Sequence, residues 1–201
     1  MSDHDVSAER PDSLVHATGW DHVTLVGSNA EDTIAFYRDV LGLPLVIRQP
    51  NLDREEVEHL FFDAGDGRLV TFFVDESRES VERQDPSVGA VHHLAFRIEP
   101  EELPEIRDRL DEAGHRVSEY DRGAFHSLYT RDHNGLVIEL AADKYVIPDD
   151  RRAEVLVRAQ AARVAAGADY IDSEHLETAL ADLGLPVEPN DLPDAPTGRD
   201  F

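Results

Sequence analysis

Two successive stretches of the chain show the same order of strand-like and helix-like apolar patterns. The first opens with WDHVTLV at residues 20–26, and the second opens with VHHLAFRI at residues 91–98. Both runs are rich in β-branched and apolar residues, which favours strands. Apolar residues then recur at three- and four-residue spacing over 30–41 and 103–113, and each pattern ends at a glycine. Ser28-Asn29-Ala30-Glu31 predicts a capping box at the start of the first helix.

Three further strands are predicted after each helix. Their bounds are 45–49, 57–63 and 69–74 in the first stretch and 116–120, 127–131 and 136–140 in the second. Gly65-Asp66-Gly67 and Asn134-Gly135 mark the turn before the last strand of each set. Corresponding landmarks keep a nearly constant separation along the chain, which indicates that a βαβββ unit is used twice.

This duplication predicts an α+β fold. One βαβββ unit cannot cover both faces of its own sheet, so module one (residues 19–75) and module two (residues 89–145) are expected to pair. We expect them to form one curved mixed sheet with the helices outside, joined by the polar segment 76–87. A ligand would lie on the concave inner face of this sheet.

The ends of the chain have a different character. Residues 146–185 predict a C-terminal helical extension that packs outside the sheet. Two helices are predicted there, at 149–166 and at 173–183 with Ser173 as the N-cap. Residues 1–18 and the Pro- and Asp-rich tail 186–201 are expected to be mobile.

The charge balance argues against several classes of partner. The chain has 19 Lys and Arg against 43 Asp and Glu, a formal net charge of −24. Such a charge repels nucleic acid and anionic lipid surfaces, so neither is an expected partner. The acidic residues are spread along the chain, and Lys144 is the only lysine. This composition resembles that of proteins from salt-loving microbes, in which concentrated salt screens self-repulsion, and an acidic mesophilic protein is the alternative.

The absence of cysteine limits the kinds of metal site and nucleophile that the chain can provide. Without cysteine there are no disulfides, thiolate metal sites or thiol nucleophiles, so any metal must be bound by His, Asp or Glu. No apolar stretch approaches the ~18 residues of a membrane span, and residues 1–10 lack the apolar core of a signal peptide. We therefore expect a soluble, cytoplasmic protein.

Strand alternation selects three candidate metal ligands. His93 points away from Leu94 and Phe96, which look toward the helix, and so projects into the cavity. His22 is its counterpart in module one. Glu139 is a carboxylate on an otherwise apolar strand, where burial without a partner would be costly. Two imidazoles and one carboxylate with open positions are typical of non-heme Fe(II) oxygenases, so we predict that His22, His93 and Glu139 bind a metal ion.

The other histidines show why the three must be taken together. A single His on a strand is more often a structural or exposed residue than a ligand. His59 and His126 lie on strands that could face the cavity, whereas His115 and His133 are predicted to be surface residues. The prediction therefore depends on two His at equivalent positions and on the Glu of an adjoining strand.

These motifs resemble the vicinal-oxygen-chelate superfamily, whose members include glyoxalase I, extradiol dioxygenases, fosfomycin-resistance transferases and bleomycin-binding proteins. The strongest resemblance is to ring-cleaving dioxygenases of hydroquinones and related diols. DHVTLVGSNAEDTIAFYRDVLGLPLVIRQPNLD and EHLFFDAGDGRLVTFF resemble the opening module of that group. GAVHHLAF and DRGAFHSLYTRDHNGLVIELAADKY resemble its last module, and together the segments cover about residues 19–145.

The resemblance implies functional roles for particular residues. The family's metal ligands fall on the same three positions that alternation selects. Groups that orient substrate and handle protons fall on Thr24, His92, Arg122 and Tyr129. His133 replaces the usual proline of the extradiol signature, and Asp21 stands where His is frequent. Alternation assigns His92 to the helix-facing side of its strand, and the long members carry four modules where this chain has two.

The implied activity is that of an extradiol-type dioxygenase with Fe(II), acting on a catechol or hydroquinone and O2, and Mn(II) suits the same ligands. A glyoxalase-like lyase is disfavoured because Thr71 stands where its fourth ligand would be. A fosfomycin-type transferase with Mn(II) stays open because it uses the same three ligands. A metal-free sequestering protein does not need the triad. The pairing of modules within one chain or across a homodimer also stays open.

Overall fold

The structure of the protein, a computed structural model, describes residues 6–65 and 67–197. The ends of the segments predicted to be mobile, 1–5 and 198–201, and Asp66 of the predicted turn lie outside the described residues. The described residues form eight strands: β1 His22–Gly27, β2 Leu45–Pro50, β3 Glu58–Asp63, β4 Leu69–Val74, β5 His93–Arg97, β6 Ser118–Asp121, β7 Phe125–Arg131 and β8 Val137–Asp143.

Four helices accompany the strands. They are α1 Ala30–Ile34, α2 Leu103–Glu112, α3 Arg152–Ala166 and α4 Ser173–Asp182. A π-helical segment, Ala35–Val40, continues α1, and 3₁₀ turns at Pro100–Glu102 and Asp149–Arg151 precede α2 and α3. The predicted α+β fold class is confirmed.

The strands form two four-stranded sheets with the same strand order. The first sheet is ordered β1-β4-β3-β2, and the second is ordered β5-β8-β7-β6. In the first sheet β1 pairs parallel with β4, while β4 with β3 and β3 with β2 are antiparallel. Hydrogen bonds therefore divide the strands between two sheets, and the matching order agrees with the predicted duplication.

By contacts between their residues, the described parts of the chain divide into two compact units. The first unit comprises residues 15–96 and 130–138. The second unit comprises residues 6–14, 97–129 and 139–197.

The core of the first unit lies between α1 with its π-helical continuation and the outer face of the first sheet. Tyr37 is fully buried, and its ring lies 4.6 Å from the ring of Phe72 and 5.6 Å from that of Phe62. Burial of each such side chain contributes roughly 1.5–3 kcal/mol. The opposite face of the first sheet, which points away from this helix, is called its inner face. Alternation along β1 places His22, Thr24 and Val26 on the inner face, and all three are exposed.

The second unit contains the C-terminal segment, defined here as residues 144–197. Helices α3 and α4 pack on each other through a cluster that includes Tyr145, Val155, Leu176 and Leu180. Although residues 186–201 were expected to be mobile, the described residues 186–197 make backbone hydrogen bonds. The N–H of Val146 donates to the Glu188 carbonyl (3.0 Å), and the N–H of Asn190 donates to the Lys144 carbonyl (2.9 Å).

Both predicted helix caps are wrong by one residue. Asn29 caps α1, accepting a hydrogen bond from the Asp32 N–H at 2.8 Å, while the Ser28 hydroxyl donates to the Asn134 side chain at 2.7 Å. Asp172 caps α4 and forms a reciprocal capping box with His175, so Ser173 lies inside the helix. Neighbouring polar residues satisfy the same capping chemistry, so the sequence pattern alone cannot choose between them.

Candidate functional site

A hydrogen-bonded chain in the second unit connects three predicted site residues. The Tyr129 hydroxyl donates to Glu139 Oε1 at 2.7 Å, and Arg122 Nε donates to the Tyr129 oxygen at 3.0 Å. Glu139 and Tyr129 are buried, with 8% and 6% of their surface exposed. Strands β7 and β8 are neighbours in the sheet, so these two residues share one face. The buried carboxylate therefore has the partner that its burial requires.

The Arg122 guanidinium lies against two tyrosine rings. Its central carbon is 5.1 Å from the ring centroid of Tyr120 and 5.0 Å from that of Tyr129, both within cation–π range. The β6–β7 turn holds the residue in place, because the Arg122 N–H donates to the Phe125 carbonyl at 2.8 Å. Sequence reasoning missed Tyr120. Alternation along β6, where Tyr120 stands opposite Ser127, was the signal that could have found it.

The surroundings of Tyr129 keep its phenol protonated at neutral pH. Burial raises the pKa of Tyr129, and the hydrogen bond to Glu139 raises this pKa further, while Arg122 acts in the opposite direction. The phenol therefore acts as a neutral donor toward the carboxylate. This arrangement holds an anion, a neutral donor and a permanent cation in a row.

His22, in the first unit, has a carboxylate against its ring. Its Nδ1 lies 2.6 Å from Asp21 Oδ1, and about half of the His22 side chain is exposed. Because an ionised carboxylate only accepts hydrogen bonds, Nδ1 carries the hydrogen, and a neutral ring presents the Nε2 lone pair. Metal-ligating histidines commonly show this pattern of one nitrogen on a carboxylate and the other on the metal.

His92 and His93 contact each other through their rings. Their Nδ1 atoms are 3.0 Å apart, and their ring planes are close to perpendicular at 87°. Strand β5 begins at His93, so His92 precedes the strand and is exposed. The alternation argument that assigned His92 to the helix-facing side is therefore wrong, because alternation applies only within the strand.

Thr24 is paired with the residue opposite it in the parallel strand β4. Thr71 Oγ1 donates to Thr24 Oγ1 at 2.8 Å, and the two residues are in register. Thr71 is fully buried. The position where a glyoxalase-like enzyme would carry a fourth metal ligand is thus occupied by a hydroxyl that bonds to its neighbour.

The inner face of the first sheet carries an aromatic cluster that sequence reasoning did not identify. The His59 ring lies 3.9 Å from the Phe61 ring centroid and 4.5 Å from that of Phe73. Among the described residues, buried His59 Nε2 finds no hydrogen-bond partner. Burial lowers the pKa of His59, and the electrostatic effect of neighbouring His22 lowers this pKa further, which favours the neutral ring. Alternation along β3 placed His59 on a strand that could face the cavity, but gave it no role.

His126 and His133 make structural contacts. His126 Nε2 lies 2.8 Å from Glu119 Oε1 and is buried. His133, predicted to be a surface residue, is instead half-buried, with Nε2 2.9 Å from the Asn134 amide nitrogen and 3.3 Å from Thr33 Oγ1. His133 follows β7 in the turn before β8, and this turn packs into the first unit.

The contacts described above do not bring His22, His93 and Glu139 together as a metal site. Within residues 6–65 and 67–197, no group of three or more His, Asp or Glu side chains is gathered in a metal-binding arrangement. His22 and His93 belong to the first unit, and Glu139 belongs to the second. Binding of a metal by these three residues therefore stays a prediction.

The same described part of the chain contains no helix with the length and apolar character needed to span a membrane.

Two known proteins are similar to this chain in sequence. The chain is 29% identical over 123 residues to "Putative ring-cleaving dioxygenase MhqA" of Bacillus subtilis (strain 168), a match covering 60% of this chain and 38% of that protein. It is 27% identical over 119 residues to "Glutathione transferase FosA" of Serratia marcescens, covering 59% of this chain and 77% of that protein. The matched region thus spans well under half of the ring-cleaving relative.

The fold is similar to that of a solved structure, and the sequence matches a family profile. The fosfomycin resistance protein FosX of Listeria monocytogenes, crystallised with Mn(II) and sulfate, has a similar fold with a TM-score of 0.50 and 20% identity, covering 68% of this chain and 98% of that chain. Residues 19–140 match the profile of the Glyoxalase/Bleomycin resistance protein/Dioxygenase superfamily. Because this match extends over more than half of the chain, the protein belongs to that superfamily.

Proposed function

We propose that the protein is a metal-dependent extradiol-type dioxygenase that acts on a catechol or hydroquinone with O2. The observation that carries this proposal is the chain from Arg122 through Tyr129 to Glu139. It joins a candidate metal ligand to a protonated phenol and a permanent cation. These are the groups that ring cleavage requires beside the metal, because negative charge develops on oxygen during the reaction.

The proposed metal ligands are His22, His93 and Glu139, and their chemistry fits a divalent ion. The contact between His22 and Asp21 orients the imidazole for binding through Nε2, and Glu139 keeps its carboxylate paired only with hydrogen-bond donors in the contacts described above. Two nitrogens and one oxygen suit Fe(II) and also Mn(II). When bound, such an ion would act as a Lewis acid and orient the diol and the dioxygen.

The chain's own residues would bind and orient the substrate. The guanidinium of arginine is a cation that does not act as a proton donor in proteins, so Arg122 can stabilise an oxyanion by charge and hydrogen bonding. Tyr129, kept protonated by its surroundings, can donate a hydrogen bond or a proton to a substrate oxygen. His92 and Thr24 are proposed as further polar contacts of the substrate.

The aromatic cluster of the first sheet supports an aromatic substrate. Phe61, Phe73 and neutral His59 present ring surfaces on the inner face. Aromatic rings pair favourably in offset or edge-to-face arrangements, worth about 0.5–1.5 kcal/mol beyond burial. A planar diol could use such a surface, whereas a small phosphonate would gain little from it.

The test is anaerobic loading of the purified protein with Fe(II), followed by oxygen uptake with a panel of catechols and hydroquinones. We expect oxygen consumption with a subset of the diols and loss of tight Fe(II) binding in His93→Ala. His115→Ala, which alters a histidine outside the proposed site, is the control and should bind Fe(II) like the unmodified protein. A fully metallated protein that consumes no oxygen with any diol would contradict the proposal.

A fosfomycin-type transferase is the second candidate. The observation in its favour is coverage, since the match extends over 77% of the transferase relative and only 38% of the ring-cleaving one. The same three ligands would hold Mn(II). Incubation of the Mn(II)-loaded protein with fosfomycin and glutathione tests this directly, and formation of the adduct would favour the transferase over the dioxygenase.

A further inference from the structure

The turn that carries Arg122 is contacted from both sides by the C-terminal segment. On one side, Gly123 has φ +81°, and a Cβ atom added there would overlap the carbonyl oxygen of Ile171 in the α3–α4 loop. Glycine alone combines this backbone conformation with so close an approach of another chain segment. The α3–α4 loop therefore lies directly against the backbone of the turn.

On the other side, Asp121 is held by two residues of the same segment. Its N–H donates to the Pro196 carbonyl at 3.1 Å. Its carboxylate accepts from Lys144 Nζ at 2.8 Å and from the Gly123 N–H at 2.7 Å. Lys144 is the only lysine of the chain, and about one sixth of its side chain is exposed.

Both contacts originate in well-anchored parts of the C-terminal segment. Ile171 packs against the α3–α4 core cluster. The stretch leading to Pro196 is tied to the end of β8, because the Asn190 side-chain amide donates to the Asp143 carbonyl at 2.8 Å and the Asn190 N–H donates to the Lys144 carbonyl. The residues on either side of Arg122 are thus fixed by packing and by hydrogen bonds that start far along the chain.

We propose that the C-terminal segment is a positioning element for Arg122. By holding Asp121 and Gly123, it sets the turn so that the guanidinium lies against the rings of Tyr120 and Tyr129 before any substrate binds. Supporting contacts of this kind reduce the entropy that is lost when an active-site group is ordered. The catalytic consequence rests on the proposed dioxygenase function, while the positioning itself does not.

The experiment compares two glycine substitutions with the same backbone cost. Gly123→Ala introduces a Cβ that collides with Ile171, whereas Gly114→Ala introduces a Cβ into open space at nearly the same φ of +84°. The readout is the NMR signal of the Arg122 Nε–H, assigned by its disappearance in Arg122→Lys. This N–H donates to the Tyr129 hydroxyl, and the guanidinium lies against two tyrosine rings, so the chemical shift reports the position of the guanidinium.

We expect the Arg122 Nε–H signal to move toward the value of a solvated arginine in Gly123→Ala and to stay unchanged in Gly114→Ala. Lys144→Met removes the tie to Asp121 without backbone strain, and it should shift the signal in the same direction. This second variant decides the matter if Gly123→Ala does not fold. An unchanged signal in Lys144→Met, together with an unchanged signal in any folded Gly123→Ala, would overturn the proposal.

Activity separates the positioning role from the proposed function. In the Fe(II)-loaded protein, kcat for oxygen uptake should fall by about 10²-fold in Gly123→Ala, since small misplacements of an active-site group have effects of this size. Fe(II) affinity should not change. A shifted NMR signal in a protein that never consumes oxygen would leave the positioning role in place and contradict the dioxygenase assignment instead.

Discussion

The two sheets have the same strand order, but the side chains on the faces that carry the candidate site residues differ sharply. In the second unit, a buried carboxylate, a phenol and a guanidinium form a continuous chain of hydrogen bonds. In the first unit, the corresponding face carries Phe61, Phe73 and a His59 whose buried Nε2 has no partner among the described residues. One face thus carries a hydrogen-bonded chain of charged and polar groups, and the other carries an aromatic cluster.

This difference shows that two copies of the same βαβββ unit can present side chains of different chemical character. Hydrogen bonds to a buried charge contribute to stability and to preorganisation of the groups that make them. An unpaired buried nitrogen costs about 1–3 kcal/mol unless water or a ligand bonds to it. The second face therefore offers charge and hydrogen-bond donors, whereas the first offers ring surfaces and one nitrogen without a partner among the described residues.

The largest effect is expected from the carboxylate of the charged face. Glu139→Gln keeps the shape of the side chain and removes its charge, so we expect at least a 10²-fold loss of Fe(II) affinity and loss of oxygen uptake. Isothermal titration with Fe(II) under anaerobic conditions measures the first effect. Glu119→Gln alters a carboxylate on the same sheet that bonds to His126 and should bind Fe(II) normally. Equal affinities in the two variants would refute the ligand role of Glu139.

Tyr129→Phe should have the next largest effect. It removes the hydroxyl that joins Arg122 to Glu139, and we expect kcat to fall by about 10²-fold or more with Fe(II) affinity nearly unchanged. Tyr120→Phe keeps the other ring beside Arg122 and should retain most of the activity. Steady-state oxygen uptake with both variants is the measurement, and a Tyr129→Phe enzyme as fast as Tyr120→Phe would remove the phenol from the mechanism.

The aromatic face is tested by His59→Phe. Removing the unpartnered nitrogen should leave the free energy of unfolding unchanged or raise it by about 1 kcal/mol, while KM for the diol increases. His126→Phe is the matched control, because it leaves Glu119 without its imidazole partner and should destabilise the fold by about 1–3 kcal/mol. Urea unfolding of both variants gives the comparison. Equal destabilisation would mean that His59 is a structural residue like His126.

The smallest effects concern the pH dependence of stability, which should differ in sign between the faces. The pKa of His59 lies below its ordinary value of 6.5, so the unfolded chain binds the proton more readily and stability falls as pH drops below 6.5. The pKa of Tyr129 lies above its ordinary value of 10.0, so stability is retained up to pH 10 and is lost above it. Urea titrations of His59→Phe and Tyr129→Phe should flatten the acid and the alkaline limb respectively.

Much of this fold could be predicted because the signals are local. The alternation of VHHLAFRI and the helical spacing of 103–113 act over a few residues, and the structure confirms β5 and α2 there. Several of the predictions that were wrong lie at element ends. His92 precedes β5, and the N-caps are Asn29 and Asp172, because neighbouring polar residues satisfy the same local rule.

The sequence by itself determined the duplicated βαβββ order, the family and the candidate residues, since strand and helix periods are properties of short segments. Only the tertiary structure decided that Arg122 lies against two tyrosine rings, that Ile171 lies against Gly123, and that His59 Nε2 has no partner within the described chain. These facts depend on the register of neighbouring strands and on packing between residues far apart in sequence. No local pattern encodes such contacts, because the same residues would satisfy it in another register.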